Sequence, residues 1–263
     1  MTQTDRLLSR KEASVGTIIF NNPERHNAVS LDMWEATKHA LDRFAADSEV
    51  RVAVLTGAGG KAFVSGADIS KFESERASLA AARAYNTTTE AVFSGIHEFP
   101  KPTIAKIRGY CIGGGVGLAS CCDLRICSDD SRFAVPAAKL GLGYGYAGVK
   151  RLVDIVGASF AKEIFFTARQ FDAHEALGMG LVNRVVPAAE LDNAVQNITD
   201  MICANAPLTI KAVKYAVGET LKDESKRNVA RANELVEQCF ASRDYAEGRA
   251  AFMEKRKPVF SGT

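Results

Sequence analysis

Two glycine-containing segments carry the backbone groups best suited to chemistry in this chain. The first runs Lys61-Ala-Phe-Val-Ser-Gly-Ala-Asp-Ile69, and the second, further along, runs Ile112-Gly-Gly-Gly-Val-Gly117. Each lies beside a predicted strand end, where glycine loosens the backbone and main-chain N–H groups can point at a ligand. A pair of such donors is what a carbonyl oxygen needs when it becomes negatively charged. The two segments therefore predict a site that stabilises an oxyanion.

The elements that would position these segments follow an alternating pattern. A helix is expected after the cap Ser30 and a long one over 75–98. Strands are expected at 15–20, 51–56, 103–108, 124–127, 133–135 and 181–186. From residue 159 helices dominate, at about 159–167, 172–178, 188–204, 207–221 and 226–253. This order predicts an α/β core, residues 1–200, followed by a helical C-terminal region, residues 201–263.

Composition excludes several classes of function. The chain has 263 residues, and its formal net charge of +2 gives no basic excess for nucleic acid. No apolar run approaches the roughly 18 residues of a membrane span, and residues 1–12 lack a signal-peptide core, so we expect neither. Six cysteines without C-x-x-C spacing and four scattered histidines predict free thiols, a cytoplasmic protein and no metal site.

Five motifs in order resemble the crotonase superfamily, the enoyl-CoA hydratase/isomerase family. They are Asn21-Asn-Pro-Glu-Arg-His-Asn-Ala28, Ala62-Phe-Val-Ser-Gly-Ala-Asp-Ile69, Gly109-Tyr-Cys-Ile-Gly-Gly-Gly115 with Cys122-Asp-Leu-Arg125, Gly180-Leu-Val-Asn-Arg-Val-Val-Pro187, and Glu247-Gly-Arg-Ala-Ala-Phe-Met-Glu-Lys-Arg256. The resemblance covers nearly the whole chain. It implies a spiral of ββα units with a helical C-terminal trimerisation region, and a homotrimer or a dimer of trimers.

The resemblance also implies an acyl-CoA thioester as the ligand, with coenzyme A as part of the substrate and no other cofactor. By position, the oxyanion-hole amides are those of Ala67 and Gly114. Gly114 stands where a helix is expected to begin, so its free N–H and the positive helix end both favour negative charge.

The coenzyme A contacts are likewise implied by position in the family motifs. Backbone groups of Ala67, Asp68, Ile69 and Ser70, and the turn Arg25, His26 and Ala28, would hold its adenine and pantetheine parts. Lys61, and Lys255 of a neighbouring subunit, stand where the family uses cations near the phosphates. Phe252 would cover part of the ligand. Either lysine could equally be an ordinary surface residue, and Asp68 fits a turn cap.

The two glutamates that hydratases of this family use are replaced, by Gly117 and Ala137. Neither residue can move a proton, whereas adding water to a double bond needs both a base and an acid. The sequence therefore predicts little hydratase turnover, and simple isomerisation is also in doubt. Two alternatives stay open: an enzyme whose enlarged pocket takes a bulkier acyl group or an external base, and a non-catalytic acyl-CoA-binding homologue.

Other residues could supply the missing acid–base groups. Tyr144 and Tyr146 lie in a glycine-rich loop that borders the pocket in the family, and a tyrosine serves better as an acid than as a base. Glu90 on the long helix is a further candidate. A separate interpretation is a dinucleotide site, since Gly57-Ala-Gly59-Gly-Lys-Ala62 follows a strand. It requires a helix directly after the glycines, and Phe63-Val-Ser-Gly66, which is β-branched and broken by glycine, is a poor start for a helix.

Overall fold

The computed structural model describes residues 4–71 and 77–263. Two sheets form its centre. The larger has strand order β1-β2-β3-β5-β7-β10 and the smaller β4-β6-β8-β9. The strands are β1 Leu7–Glu12, β2 Val15–Phe20, β3 Val52–Gly57, β4 Ala62–Val64, β5 Thr103–Ile107, β6 Tyr110–Ile112, β7 Leu124–Ser128, β8 Arg132–Ala134, β9 Phe171–Asp172 and β10 Arg184–Val186.

Nine helices of the described residues connect and follow these strands. They are α1 Leu31–Ala46, α2 Leu79–His97, α3 Gly114–Cys121, α4 Tyr146–Thr167, α5 Ala173–Gly178, α6 Leu191–Ala204, α7 Pro207–Thr220, α8 Val229–Phe240 and α9 Arg243–Glu254. None of the described helices is long and apolar enough to cross a membrane.

The sheets are built by a repeating ββα unit. Each of the pairs β3–β4, β5–β6 and β7–β8 places its first strand in the larger sheet and its second in the smaller one, and a helix follows. Within each sheet these successive strands pair in parallel. The chain therefore advances as a spiral, which confirms the predicted α/β fold and places equivalent strand ends next to each other.

The main core lies between the two sheets and the helices α1 to α5. Phe20, Trp34 and Phe63 are fully buried there with edge-to-face contacts. Helix α6 packs on the other side of the larger sheet through an apolar stripe that includes Leu191 and Val195. The predicted domain boundary at residue 200 falls inside α6.

Several predicted elements differ from those observed. Strand β1 and the short strands β4 and β6 were not predicted, since three apolar residues give too short a pattern. The predicted strand 181–186 is paired only over Arg184–Val186. The predicted helix 159–167 is the second part of α4, which begins at Tyr146 and is broken at Gly157, where φ is 74°. The predicted start of α2 at residue 75 lies outside the described residues.

Candidate active site

The two glycine segments follow neighbouring parallel strands. Strand β4 pairs with β6 in the register Ala62 with Tyr110 and Val64 with Cys111, and β6 pairs with β8. Because the carboxyl ends of parallel strands meet at one edge of a sheet, the loops after β4, β6 and β8 lie side by side. This topology brings Ala67, Gly114 and the replaced position Ala137 to one edge.

The approach of the first two loops is close. A methyl group built on Gly114 would lie 3.6 Å from Cα of Gly66 and 3.9 Å from the amide nitrogen of Ala67. At Gly115 a methyl carbon would lie 2.1 Å from the carbonyl oxygen of Val64, so only glycine lets α3 begin against the end of β4. The helix terminus and the Ala67 peptide therefore line the same small space.

Both amides that line this space are left without an internal acceptor. Ala67 pairs with Val29 in a parallel bridge, in which Val29 N–H donates to Gly66 O at 2.9 Å and Asp68 N–H donates to Val29 O at 3.0 Å, so the bridge does not use the Ala67 N–H. Gly114 is the first residue of α3, where N–H groups have no intrahelical partner. Over residues 4–71 and 77–263, neither the Ala67 N–H nor the Gly114 N–H donates a hydrogen bond.

The turn expected to contact coenzyme A is held by Asp68. This carboxylate is 4% exposed and accepts hydrogen bonds from Ser70 N at 3.1 Å and Ser70 Oγ at 2.7 Å. Arg25 Nη1 donates to it at 3.1 Å and also bonds Ser70 Oγ. Burial raises the pKa of Asp68, but the Ser70 hydrogen bonds and Arg25 together lower it below its ordinary value. The predicted turn cap is confirmed, and the same contacts bring Arg25 to the Ala67 loop.

The other predicted ligand contacts occupy two regions. His26, with a φ of 51°, turns its ring edge-on to Tyr110 at 5.8 Å, and Ala28 is buried in the same turn. Lys61 is exposed just before β4, and Ile69 opens a short 3-10 helix. Phe252 and Lys255 instead lie at the end of α9, both exposed, with Phe252 on an apolar cavity of about 640 Å³ between α7 and α9. These contacts stay predictions.

The two positions at which the sequence predicts replaced glutamates are Gly117 and Ala137. Gly117 lies one turn into α3, and a methyl carbon there would lie 3.1 Å from Cε2 of Phe93 and 3.3 Å from the hydroxyl oxygen of Tyr144. Ala137 is buried in the short 3-10 helix that follows β8. A side chain at residue 117 would therefore contact the edge of the Phe93 ring and the hydroxyl group of Tyr144.

The two tyrosine candidates have different surroundings. The Tyr144 ring lies 4.8 Å from that of Phe165, and its hydroxyl points to Gly117. Tyr146 is 83% exposed at the first residue of α4. The structure brings Tyr144, and not Tyr146, to Gly117, one helical turn from Gly114.

Two side chains near Tyr144 were not found from the sequence. Arg151 on α4 bonds Glu90 on α2, with Nη1 to Oε2 at 3.3 Å, a shorter second contact from Nη2 to Oε1, and Nη2 to Ser94 Oγ at 3.3 Å. Glu90 is thus an ion-pair partner. Phe93 closes the space beside Gly117. Residues this far apart in the chain give no spacing signal, so only the fold could join them.

The fold argues against the dinucleotide interpretation. After β3 the glycines at 59 and 60 lead into strand β4, so the helix that a dinucleotide site requires is absent from this part of the described chain. Cys121 and Cys122 are buried at the end of α3, and burial raises the pKa of Cys121 to about 12, as expected for packing thiols. No cluster of metal-ligating side chains occurs among residues 4–71 and 77–263.

The spiral of ββα units defines an α/β protein of the crotonase fold. A family model described as enoyl-CoA hydratase/isomerase matches residues 10–263. The chain is 36% identical to a short-chain-enoyl-CoA hydratase of Clostridium acetobutylicum, covering 97% of each chain. It is 35% identical to a carnitinyl-CoA dehydratase of Proteus mirabilis, covering 100% of each.

A solved structure agrees with these sequence relatives. An enoyl-CoA hydratase/carnithine racemase of Magnetospirillum magneticum superposes with a TM-score of 0.93 at 34% identity, covering 99% of this chain and 97% of the other. The chain belongs to the enoyl-CoA hydratase/isomerase family. The predicted family resemblance is confirmed.

Proposed function

We propose that this protein acts on an acyl-CoA thioester and stabilises its enolate between the amides of Ala67 and Gly114. The observation that carries the proposal is the convergence of these two unpaired N–H groups at the edge of the smaller sheet. Negative charge that develops on the thioester oxygen would accept both hydrogen bonds and would also face the positive end of α3. Membership of a family of acyl-CoA enzymes supports the same substrate class.

Coenzyme A would lie along the Asp68 turn. In this proposal backbone groups of Arg25, His26 and Ala28 and of residues 67–70 hold the adenine and pantetheine parts, and Lys61 meets a phosphate. Lys255 and Phe252 of a neighbouring subunit complete the site, which requires a trimer or a pair of trimers. Coenzyme A belongs to the substrate, and no other cofactor is proposed.

The chemistry of this protein differs from that of a two-glutamate hydratase. With Gly117 and Ala137 at the two positions, no carboxylate there can activate water or protonate carbon. We therefore expect hydration of crotonyl-CoA well below about 10 per second, a typical enzyme turnover.

The oxyanion proposal is tested with a chromophoric thioester, para-dimethylaminocinnamoyl-CoA. Hydrogen bonds to its carbonyl draw electron density from the amine, so binding between the two amides moves its absorption to longer wavelength. Gly114→Pro removes one N–H at the first helical position, which proline tolerates, and we expect most of the shift to disappear.

A thermal unfolding curve checks that the variant is folded. Binding of the chromophore to the wild-type protein without any shift would contradict the proposal. Tight binding with a shift, but no turnover of any acyl-CoA, would favour the non-catalytic alternative.

A further inference from the structure

The Tyr144 hydroxyl takes the place of a missing side chain. It lies 3.3 Å from where the first side-chain carbon of residue 117 would be. Gly117 and Gly114 are three residues apart on α3, so they lie on the same face of the helix, one turn apart. The phenol therefore stands on the face of α3 that leads to the Gly114 amide.

The position of this phenol is fixed by packing. Its ring lies 4.8 Å from the Phe165 ring, and a methyl carbon on Gly148 would lie 2.8 Å from Tyr144 Cε1. The absence of a side chain at residue 148 is thus what lets the ring reach α3. Two glycines, at 117 and 148, make room for one tyrosine.

The charges around Tyr144 keep its proton in place. Burial is the main cause that raises its pKa to about 12, aided by the thiol of Cys121 on α3. Arg151 on α4 opposes this rise, whereas Cys111 on β6 and Glu90 on α2 add to it. At neutral pH the group is a phenol beside a guanidinium that can stabilise the anion left after proton donation. Tyr144 is therefore suited to giving a proton and unsuited to taking one.

At the positions closest to Tyr144 in the described part of the chain, no free carboxylate is available to remove the α-proton. Gly117 and Ala137 have no titratable group, and Glu90 is held by both terminal nitrogens of Arg151. An enolate that forms without a base from these residues can arise from loss of a group other than a proton. A carboxylate on the α-carbon is such a group, and it would leave most readily from apolar surroundings such as Phe93, Gly117 and Ala137, where its charge is poorly solvated.

We propose, on the basis of the function above, that the substrate is a β-carboxyacyl-CoA and that Tyr144 donates the proton that follows its decarboxylation. The bond between the α-carbon and the carboxylate breaks and CO2 leaves. The electron pair enters the thioester as an enolate held by the Ala67 and Gly114 amides. The Tyr144 O–H proton passes to the α-carbon, and the tyrosinate, stabilised by Arg151, recovers a proton from water.

The test uses malonyl-CoA and its α-methyl derivative as substrates, with the acyl-CoA product measured by mass spectrometry. We expect the wild-type protein to release CO2 and Tyr144→Phe to lose about a hundredfold or more in kcat, a usual contribution of a general acid. In D2O the α-methyl substrate gives a product with one deuteron at the α-carbon. A single donor on one face yields one enantiomer, and Tyr144→Phe should yield a mixture from water.

Matched controls separate this inference from the proposed function. Tyr146→Phe makes the same change on an exposed ring of the same loop and should retain turnover and stereochemistry. Arg151→Lys keeps a cation and should lower kcat less than Arg151→Gln.

Retention of both turnover and one enantiomer by Tyr144→Phe would overturn the inference. Absence of CO2 release by a wild-type protein that still shifts the cinnamoyl chromophore would also overturn it, while leaving the proposed function standing. Loss of the shift itself would overturn both.

Discussion

At the scale of single residues, glycines in the site leave space that the rings of Phe93 and Tyr144 occupy. The family resemblance implies a glutamate at residue 117 in hydratases, whereas here the first side-chain carbon at Gly117 would lie 3.1 Å from Phe93 and 3.3 Å from Tyr144 Oη. We predict that Gly117→Glu does not restore hydration of crotonyl-CoA. Overpacking should instead reduce the free energy of unfolding by about 1–3 kcal/mol.

Crotonyl-CoA hydration and urea unfolding of Gly117→Glu check this expectation. Gly218→Ala is the control, since nothing lies within 4 Å of its added methyl group in α7, and it should be neutral or stabilising. A stable Gly117→Glu protein with hydratase activity would show that Phe93 and Tyr144 move aside easily.

A second prediction at this scale concerns the buried carboxylate of Asp68. Its pKa is lower in the folded protein than the ordinary 3.8. A lowered pKa means that the ionised group stabilises the fold above about pH 4 and that this contribution disappears as the pH falls through the folded-state value. Asp68→Asn should therefore lower the free energy of unfolding by about 1–2 kcal/mol at pH 7, since charge-assisted hydrogen bonds are lost.

Urea unfolding of the wild type and Asp68→Asn between pH 7 and pH 3 measures this effect. The difference between the two proteins should shrink toward the acid end. A difference that stays constant with pH would mean that Asp68 acts through shape and not through charge.

At the scale of elements, the sequence predicted most strands of the larger sheet but missed β4 and β6, which lead into the site, and also missed what closes the site. The glycine segments were found because glycine is a local signal, whereas β4 and β6 are only three residues long. The approach of Tyr144 to Gly117, and of Arg151 to Glu90, depends on how α4 packs against α2 and α3. The first part of α4 was also not predicted, because the glycines at 143, 145 and 148 weaken the helical pattern before and within it.

A substitution at Gly148 can test whether helix α4 holds the Tyr144 ring in its position. An alanine methyl at residue 148 would lie 2.8 Å from Tyr144 Cε1, so the ring must move. Because alanine favours the helix while the displaced ring loses packing against Phe165, we expect the unfolding temperature of Gly148→Ala to change little, but malonyl-CoA decarboxylation to fall about tenfold to a hundredfold. Gly143→Ala, with nothing within 4 Å, should lose neither.

Thermal unfolding and decarboxylation are measured on the same samples. Equal activity of Gly148→Ala and the wild type would show that the ring position does not matter. A fall in unfolding temperature would instead indicate strain in α4.

At the scale of the whole molecule, the helices after the core present apolar surface that a single chain does not cover. Val213 and Val217 on α7 are 57% and 56% exposed, and Phe240 on α8 is 61% exposed. If the chain forms the proposed trimer or pair of trimers, burial of such side chains would stabilise it, and Lys255 would reach a neighbouring site. The sequence showed helices here, but a helical pattern alone gives no subunit arrangement.

We predict that analytical ultracentrifugation finds three or six times the 28.3 kDa mass of the chain. Val217→Glu should shift the protein toward monomer, because a charge transferred into an apolar interface is costly. Lys226→Glu, on the exposed connection between α7 and α8, is the matched control and should not dissociate the assembly, since surface ion pairs contribute little. A wild-type monomer with full chromophore shift and turnover would contradict the proposal that a second subunit completes the site. A Val217→Glu monomer that binds acyl-CoA more weakly would instead support it, because Lys255 and Phe252 would then be removed from the neighbouring site without any change at the Ala67 and Gly114 amides.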